Sequence, residues 1–247
     1  WTPNRWRSPP TSRRGECGGV RLLVCERGKS GVGETMTRCV VNVATGHYVV
    51  GQTRLLRALS DPWLRWADQM PPGSPTHREV PYAFKAHALV EAQRQGAELV
   101  LWADSCIVPI RSMDPLWDLI ERQGYWFSRN GYPNGEWCSD AALPLLGVTR
   151  EQAFQVEHVV ATTFGLNLRS EIGASFLAEY FRLAQNGSFC GPWTNENGQA
   201  SADPRVKGHR HDQSAASVIA HRLGMELTNP PQWFAYRGGE RKSTVLV

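Results

Sequence analysis

Over residues 38 to 123 short apolar runs alternate with helix-spaced apolar positions, the rhythm of an α/β protein. Cys39-Val40-Val41-Asn42-Val43 is apolar and β-branched and predicts a first core strand, with Thr45-Gly46-His47-Tyr48 as the loop at its carboxyl end. Gln52 to Leu59 places Leu55, Leu56 and Leu59 on one helical face. Residues 62 to 81 contain five prolines and read mostly as loop. Tyr82 to Gln95 spaces Phe84, Ala88, Leu89 and Ala92 as a helix, closed by Gly96. It leads into Leu99-Val100-Leu101-Trp102-Ala103, an apolar run that stops at Asp104. A bounded run of this kind reads as a buried strand of a parallel sheet, and the strand–helix–strand order implies a right-handed crossover. Ligands of open α/β sheets bind beyond the carboxyl ends of the strands, where Asp104 would stand.

The second half reads differently. Pro115 to Gln123 predicts a helix, and Gly124 to Ala142 is rich in aromatic residues, Gly and Asn. Ser170 to Gln185 is strongly amphipathic, Asn186 to Lys207 is a polar loop, and Asp212 to Leu223 reads as a helix with Asp212 as its N-cap. No internal repeat is visible.

Charge changes the picture at one place. Residues 1 to 14 hold Arg5, Arg7, Arg13 and Arg14 without an acid, which equals the whole net charge of +4. With Trp1 and Trp6, this basic segment suits a polyanion. The six cysteines are scattered without a CxxC pair, which argues against a disulfide framework or zinc ribbon and for a reducing, intracellular setting. No apolar run approaches the ~20 residues of a membrane helix, and no membrane partner is expected. The residues around Gly28-Lys29-Ser30 and Gly31-Val32-Gly33 fail as phosphate-binding motifs, because Leu23 and Met36 occupy required glycine positions.

Two features carry candidate chemistry: Asp104 at a strand end, and Gly208-His209-Arg210-His211-Asp212, which packs two histidines and a carboxylate into one turn. A metal–phosphate site needs groups of these types. Thr45-Gly46 and Tyr48, then Tyr82-Ala83-Phe84-Lys85, Val100 to Ser105 and His209 to Ser214 stand in the order found in GT-A glycosyltransferases, which the chain resembles over roughly residues 38 to 225. The resemblance implies a Rossmann-like, mostly parallel central sheet flanked by helices. A basic N-terminal arm and lead-in (1–37) would precede one domain (38–247), with a nucleotide-sugar half (38–110) and an acceptor half (111–247). It implies a nucleotide-sugar donor bound by Thr45, Gly46, Tyr48, Lys85, Asp104 and Ser105. A divalent Mn²⁺ or Mg²⁺ would be held by Asp104 with His211 or His209, and Asp212 would hold the sugar or acceptor. Cys106 stands where the family's DxD motif has its second acid, and a thiol is a poor ligand for such hard cations. Asp140, in the aromatic segment, is a candidate general base.

The acceptor has two readings, of which the first takes precedence and the second is the alternative. A hydroxymethylated pyrimidine in DNA is favoured by the basic segment, with Arg5, Trp6, Arg7, Arg13 and Arg14 as nucleic-acid contacts. A glycan is favoured by Trp126, Trp137 and Trp193 as stacking surfaces. A non-enzymatic nucleic-acid-binding protein is the third class, and it leaves Asp104 and the His209–Asp212 cluster without a role.

Overall fold

A computed structural model describes residues 37 to 247. The basic-segment residues Arg5, Trp6, Arg7, Arg13 and Arg14 lie outside them. The chain runs β1 (Arg38–Ala44), α1 (Tyr48–Ala58), β2 (Trp63–Ala67), α2 (Ala83–Arg94), β3 (Leu99–Ala103), α3 (Asp114–Gln123), β4 (Tyr125–Trp126) and β5 (Arg129–Pro133). There follow α4 (Ala142–Leu146), α5 (Arg150–Gln155), β6 (Glu157–Val159), β7 (Thr163–Asn167), α6 (Glu171–Gln185) and α7 (His211–Arg222). The main sheet has the order β2-β1-β3-β7-β4, and β5 and β6 form a separate ribbon. β1 pairs in parallel with both β2 and β3, whereas β7 runs antiparallel to β3 and to β4. The expectation of an α/β fold with a mostly parallel central sheet therefore holds, since four of the five strands share one direction.

The apolar run of β3 is explained by burial on both faces. Val100 and Trp102 join Val41, Val43 and the helices α2, α6 and α7 on one side of the sheet. Leu99, Leu101 and Ala103 join Val40, Leu55, Trp117 and Ile120 on the other, where Phe234, Val245 and Leu246 of the C-terminal segment complete the layer.

Several sequence expectations need correction. The proline-rich stretch contains β2, an edge strand whose Leu64 and Trp66 face the core. The first helix begins at Tyr48, so that residue belongs to a helix and not to the preceding loop. The short β7 went unseen because Gly165 sits at its centre. A Cβ there would collide with the Ile120 side chain of α3, so a larger residue would force that side chain to move before the helix could close on the sheet. Gly165→Val should lower the unfolding free energy by about 1–3 kcal/mol through overpacking, read by urea denaturation. Among the described residues no helix is long and apolar enough to cross a membrane.

Candidate active site

β1 and β3 run in parallel register, with Val41 opposite Trp102, so their carboxyl ends share one edge of the sheet. Asp104 emerges there, its backbone N–H donating to Thr162 O (2.8 Å). Beneath it lies a buried polar network. Asn42 Nδ2 donates to Ala103 O and lies 3.4 Å from Ser105 Oγ, and Gln52 Nε2 donates to Asn42 Oδ1 (2.7 Å) and Trp66 O (2.9 Å). This network fixes the peptide that carries Asp104. It also occupies Ser105, which is buried and lies within 3.4 Å of Asn42 Oδ1.

The centre of the site is Lys85, on the first turn of α2 and only 3% exposed. Its Nζ lies 3.3 Å from Asp104 Oδ1, 3.0 Å from Asp212 Oδ2 and 2.8 Å from Ala161 O. An ammonium has three N–H donors, and these three oxygens take them all. Lys85 thus ties the strand end to α7 and has no donor left for a diphosphate, unlike the expected direct contact. Asp212 is not an N-cap. It lies within the first turn of α7, whose N-cap is Arg210, and it also accepts from Tyr180 Oη (3.2 Å). Its side chain is 5% exposed and spends Oδ2 on Lys85 and Tyr180. Asp104 is the exposed member, at 25%, with its Oδ1 held by Trp102 Nε1 (2.7 Å) as well as by Lys85.

Two carboxylates share one ammonium, so the cluster carries surplus negative charge. Burial is the main cause that pushes both Asp104 and Asp212 above the usual carboxylate range, against the pull of Lys85. Burial opposes charge on Lys85 too, but the two carboxylates prevail and raise its pKa.

The first turns of α2 and α7 meet at this cluster, and both begin in left-handed backbone. Tyr82, the N-cap of α2, has φ 62°, and His211, the first residue of α7, has φ 48°. Such non-glycine conformations cost on the order of 1 kcal/mol or more and concentrate at functional sites. The two rings lie 5.7 Å apart, and Lys85 Nζ sits 5.0 Å from the Tyr82 ring. His211 Nδ1 is 2.8 Å from Phe189 O, which assigns it the proton and leaves Nε2 as a free basic atom. Burial lowers the His211 pKa, so the ring is neutral. His209 is different: Nδ1 accepts from Ser139 N (3.3 Å) and Nε2 lies 2.9 Å from Ser188 O. With both nitrogens used and the ring fully buried, His209 is a packing residue and not the expected ligand.

The remaining candidates are placed as follows. Thr45, Gly46 and Tyr48 are exposed at the carboxyl end of β1, with Gly46 N donating to Asp68 Oδ1 (2.7 Å). Cys106 is exposed beside Asp104, and burial, then the Asp104 charge, raise its pKa, which keeps the thiol protonated. Asp140 pairs with Arg150 (2.6 Å) and accepts from Ser201 Oγ (2.8 Å), contacts it shares with no member of the Lys85 cluster. Burial opposes the shift, but these hydrogen bonds hold Asp140 below the usual carboxylate range, the reverse of what a general base needs. Trp126 is a core residue bonded to Thr228 Oγ1 (3.0 Å). Among the described residues no three His, Cys, Asp or Glu side chains converge as a metal cage.

Trp137, expected from the sequence as a stacking surface, lines a cleft of about 350 Å³ with Asn130, Tyr132, His158, Arg210 and Tyr236, which sequence reasoning did not single out. The Arg210 guanidinium is sandwiched 4.0 Å from both the Trp137 and Trp193 rings, and Trp193 in turn stacks on His211 at 5.4 Å. The cleft thereby adjoins the Asp104 edge through His211 and Tyr82.

No family model matches the chain and no curated protein matches it. Among solved structures it is similar to an apo WbbM bifunctional glycosyltransferase, at 10% identity and a TM-score of 0.44, covering 83% of this chain and 40% of that one. It is also similar to apo mouse xyloside xylosyltransferase 1, at 12% identity and a TM-score of 0.44, covering 78% of this chain and 73% of that one. Likeness at this level bears on neither activity nor substrate.

Proposed function

We propose that the chain is a GT-A-like glycosyltransferase that moves a sugar from a nucleotide-sugar donor to an acceptor hydroxyl. The observation that carries this reading is the partly exposed Asp104 at a strand end, set against the converging first turns of α2 and α7. Helix N-termini present unpaired N–H groups and favour a diphosphate, while the carboxylate surplus beside them calls for a cation. In the reaction the acceptor oxygen attacks the anomeric carbon, and the bond to the diphosphate breaks with its electron pair leaving on phosphate. The ring gains oxocarbenium character and the hydroxyl proton is lost to a base.

A divalent cation, when bound, would stabilise the leaving diphosphate. The residues with atoms free to hold it are Asp104, through Oδ2, and His211, through Nε2, with donor phosphates completing a largely oxygen shell. Cys106, as a protonated thiol, adds no ligand to that set.

For the acceptor, the aromatic cleft beside the site favours a glycan. The DNA reading keeps one observation of its own, the basic segment at residues 1 to 14, and with it the intracellular setting. Deleting residues 1 to 14 discriminates between the two. If DNA is the acceptor, its binding should weaken and its salt dependence flatten, because four phosphate-neutralising charges are lost. Unchanged DNA affinity in a filter-binding titration would remove that reading. Hydrolysis of nucleotide sugars without any acceptor tests the common chemistry, since a binding module turns over none.

A further inference from the structure

Arg210 makes no ion pair with any described residue. Among the described residues the one polar contact of its guanidinium is Nη1 to Trp193 O (2.9 Å), and burial between the two indoles lowers its pKa, the sign of a cation lacking a counter-charge. A guanidinium has five donors in a fork that matches an oxyanion, so most of its capacity is unspent.

On the ribbon wall of the same cleft His158 is 1% exposed. Its Nδ1 faces two amide nitrogens, Asn130 Nδ2 at 3.2 Å and Gln213 Nε2 at 3.4 Å, while Gln213 Nε2 also donates to Val159 O (2.6 Å). Two donors against Nδ1 place the imidazole proton on Nε2, and Nε2 has no partner. Burial, with Arg210 next in effect, lowers the His158 pKa to about 3, so the ring is a neutral donor at any ordinary pH. A buried N–H without an acceptor is uncommon in a folded protein. No carboxylate lines the cleft, and Lys207 beside it is neutralised by Glu136 at 2.6 Å.

We infer that this cleft is a subsite for an acceptor sugar bearing one oxyanion, a carboxylate or a phosphate. Arg210 takes the charge, and Tyr132, Trp137 and Tyr236 give the ring an aromatic wall. A single cation suits a single anion. A nucleic-acid strand needs several, and residues 37 to 247 carry no net charge, because the whole +4 lies in residues 1 to 36. The inference rests on the glycosyl-transfer reading only for the word acceptor; the anion site itself does not.

The test is calorimetric titration of the full chain with glucuronate, glucose 6-phosphate, glucose and a short oligothymidylate, without donor. At least one of the two acidic sugars should bind about tenfold or more tighter than glucose, and the tighter of them identifies the oxyanion. Arg210→Gln should erase that preference, while Arg210→Lys, which keeps the charge but loses the fork, should retain part of it. Tyr236→Ala, at an exposed wall position, should weaken the acidic sugars and glucose alike. Equal binding of acidic and neutral sugars, or a preference that survives Arg210→Gln, overturns the inference. So does oligothymidylate binding that exceeds both acidic sugars and is lost in Arg210→Gln, which would assign the cleft to nucleic acid. If the anion preference behaves as expected while the wild-type chain hydrolyses no nucleotide sugar, the glycosyl-transfer reading fails and the anion site stands.

Discussion

Replacing Lys85 by methionine should lower the unfolding free energy by about 3–5 kcal/mol, because it leaves the buried Asp212 and the partly exposed Asp104 with no counter-charge. Methionine keeps the length and apolar character of the stem, so lost volume contributes little. The deficit should depend on pH, and its sign follows from the carboxyls. Both Asp104 and Asp212 are pushed above their ordinary range in the folded protein, chiefly by burial. Groups raised in this way bind protons on folding, so they favour the folded state below the ordinary carboxylate pKa of ~3.9 and lose that contribution as pH rises through the raised values. Removing the ammonium raises them further. Urea denaturation in metal-free buffer should therefore show the largest deficit near pH 8 and a smaller one as pH falls toward the carboxyl range. A deficit that is small, or that does not change with pH, would mean that Lys85 does not neutralise this pair.

Much of this arrangement was legible in the sequence, and the reasons are local. The run Leu99 to Ala103 is buried on both faces, so its apolar continuity and its abrupt end at Asp104 survive without any knowledge of neighbours. The helix from Glu171 shows itself through one-sided apolar spacing, whereas α2 is buried around much of its girth and shows itself through Phe84, Ala88, Leu89 and Ala92 at helical spacing before Gly96. β2 and β7 did not, because an edge strand amid prolines and a strand built around Gly165 lack the usual β signal. Asp212 was misread because an acid at a helix start satisfies the capping pattern whether or not it caps. Its ion pair with Lys85 spans more than a hundred residues and leaves no local trace. His209 and His211 look equivalent in sequence, and only packing shows that one spends both nitrogens while the other keeps one free. One signal was available and unused: Asn42, a lone amide inside a β-branched strand, marks the polar network that holds the Asp104 peptide.

The second large effect concerns Asp104. An asparagine still accepts from Trp102 Nε1, and it leaves Lys85 and Asp212 as a one-to-one pair, so the site loses its surplus charge. Stability should stay unchanged or rise, the usual outcome when a functional carboxylate is removed from a crowded site. Donor turnover should behave oppositely. A neutral amide holds a cation far more weakly than a carboxylate and places no charge beside the leaving diphosphate, and loss of one such electrostatic group typically lowers turnover by about 10²–10³-fold.

Nucleotide-sugar hydrolysis by the wild-type chain and by Asp104→Asn, each at a concentration and temperature where both are folded, tests the role of Asp104 most directly. The expected result is wild-type turnover reduced by about 10²-fold or more in Asp104→Asn. Equal turnover in the two would reduce Asp104 to an acid that merely ends a strand and would contradict the central claim.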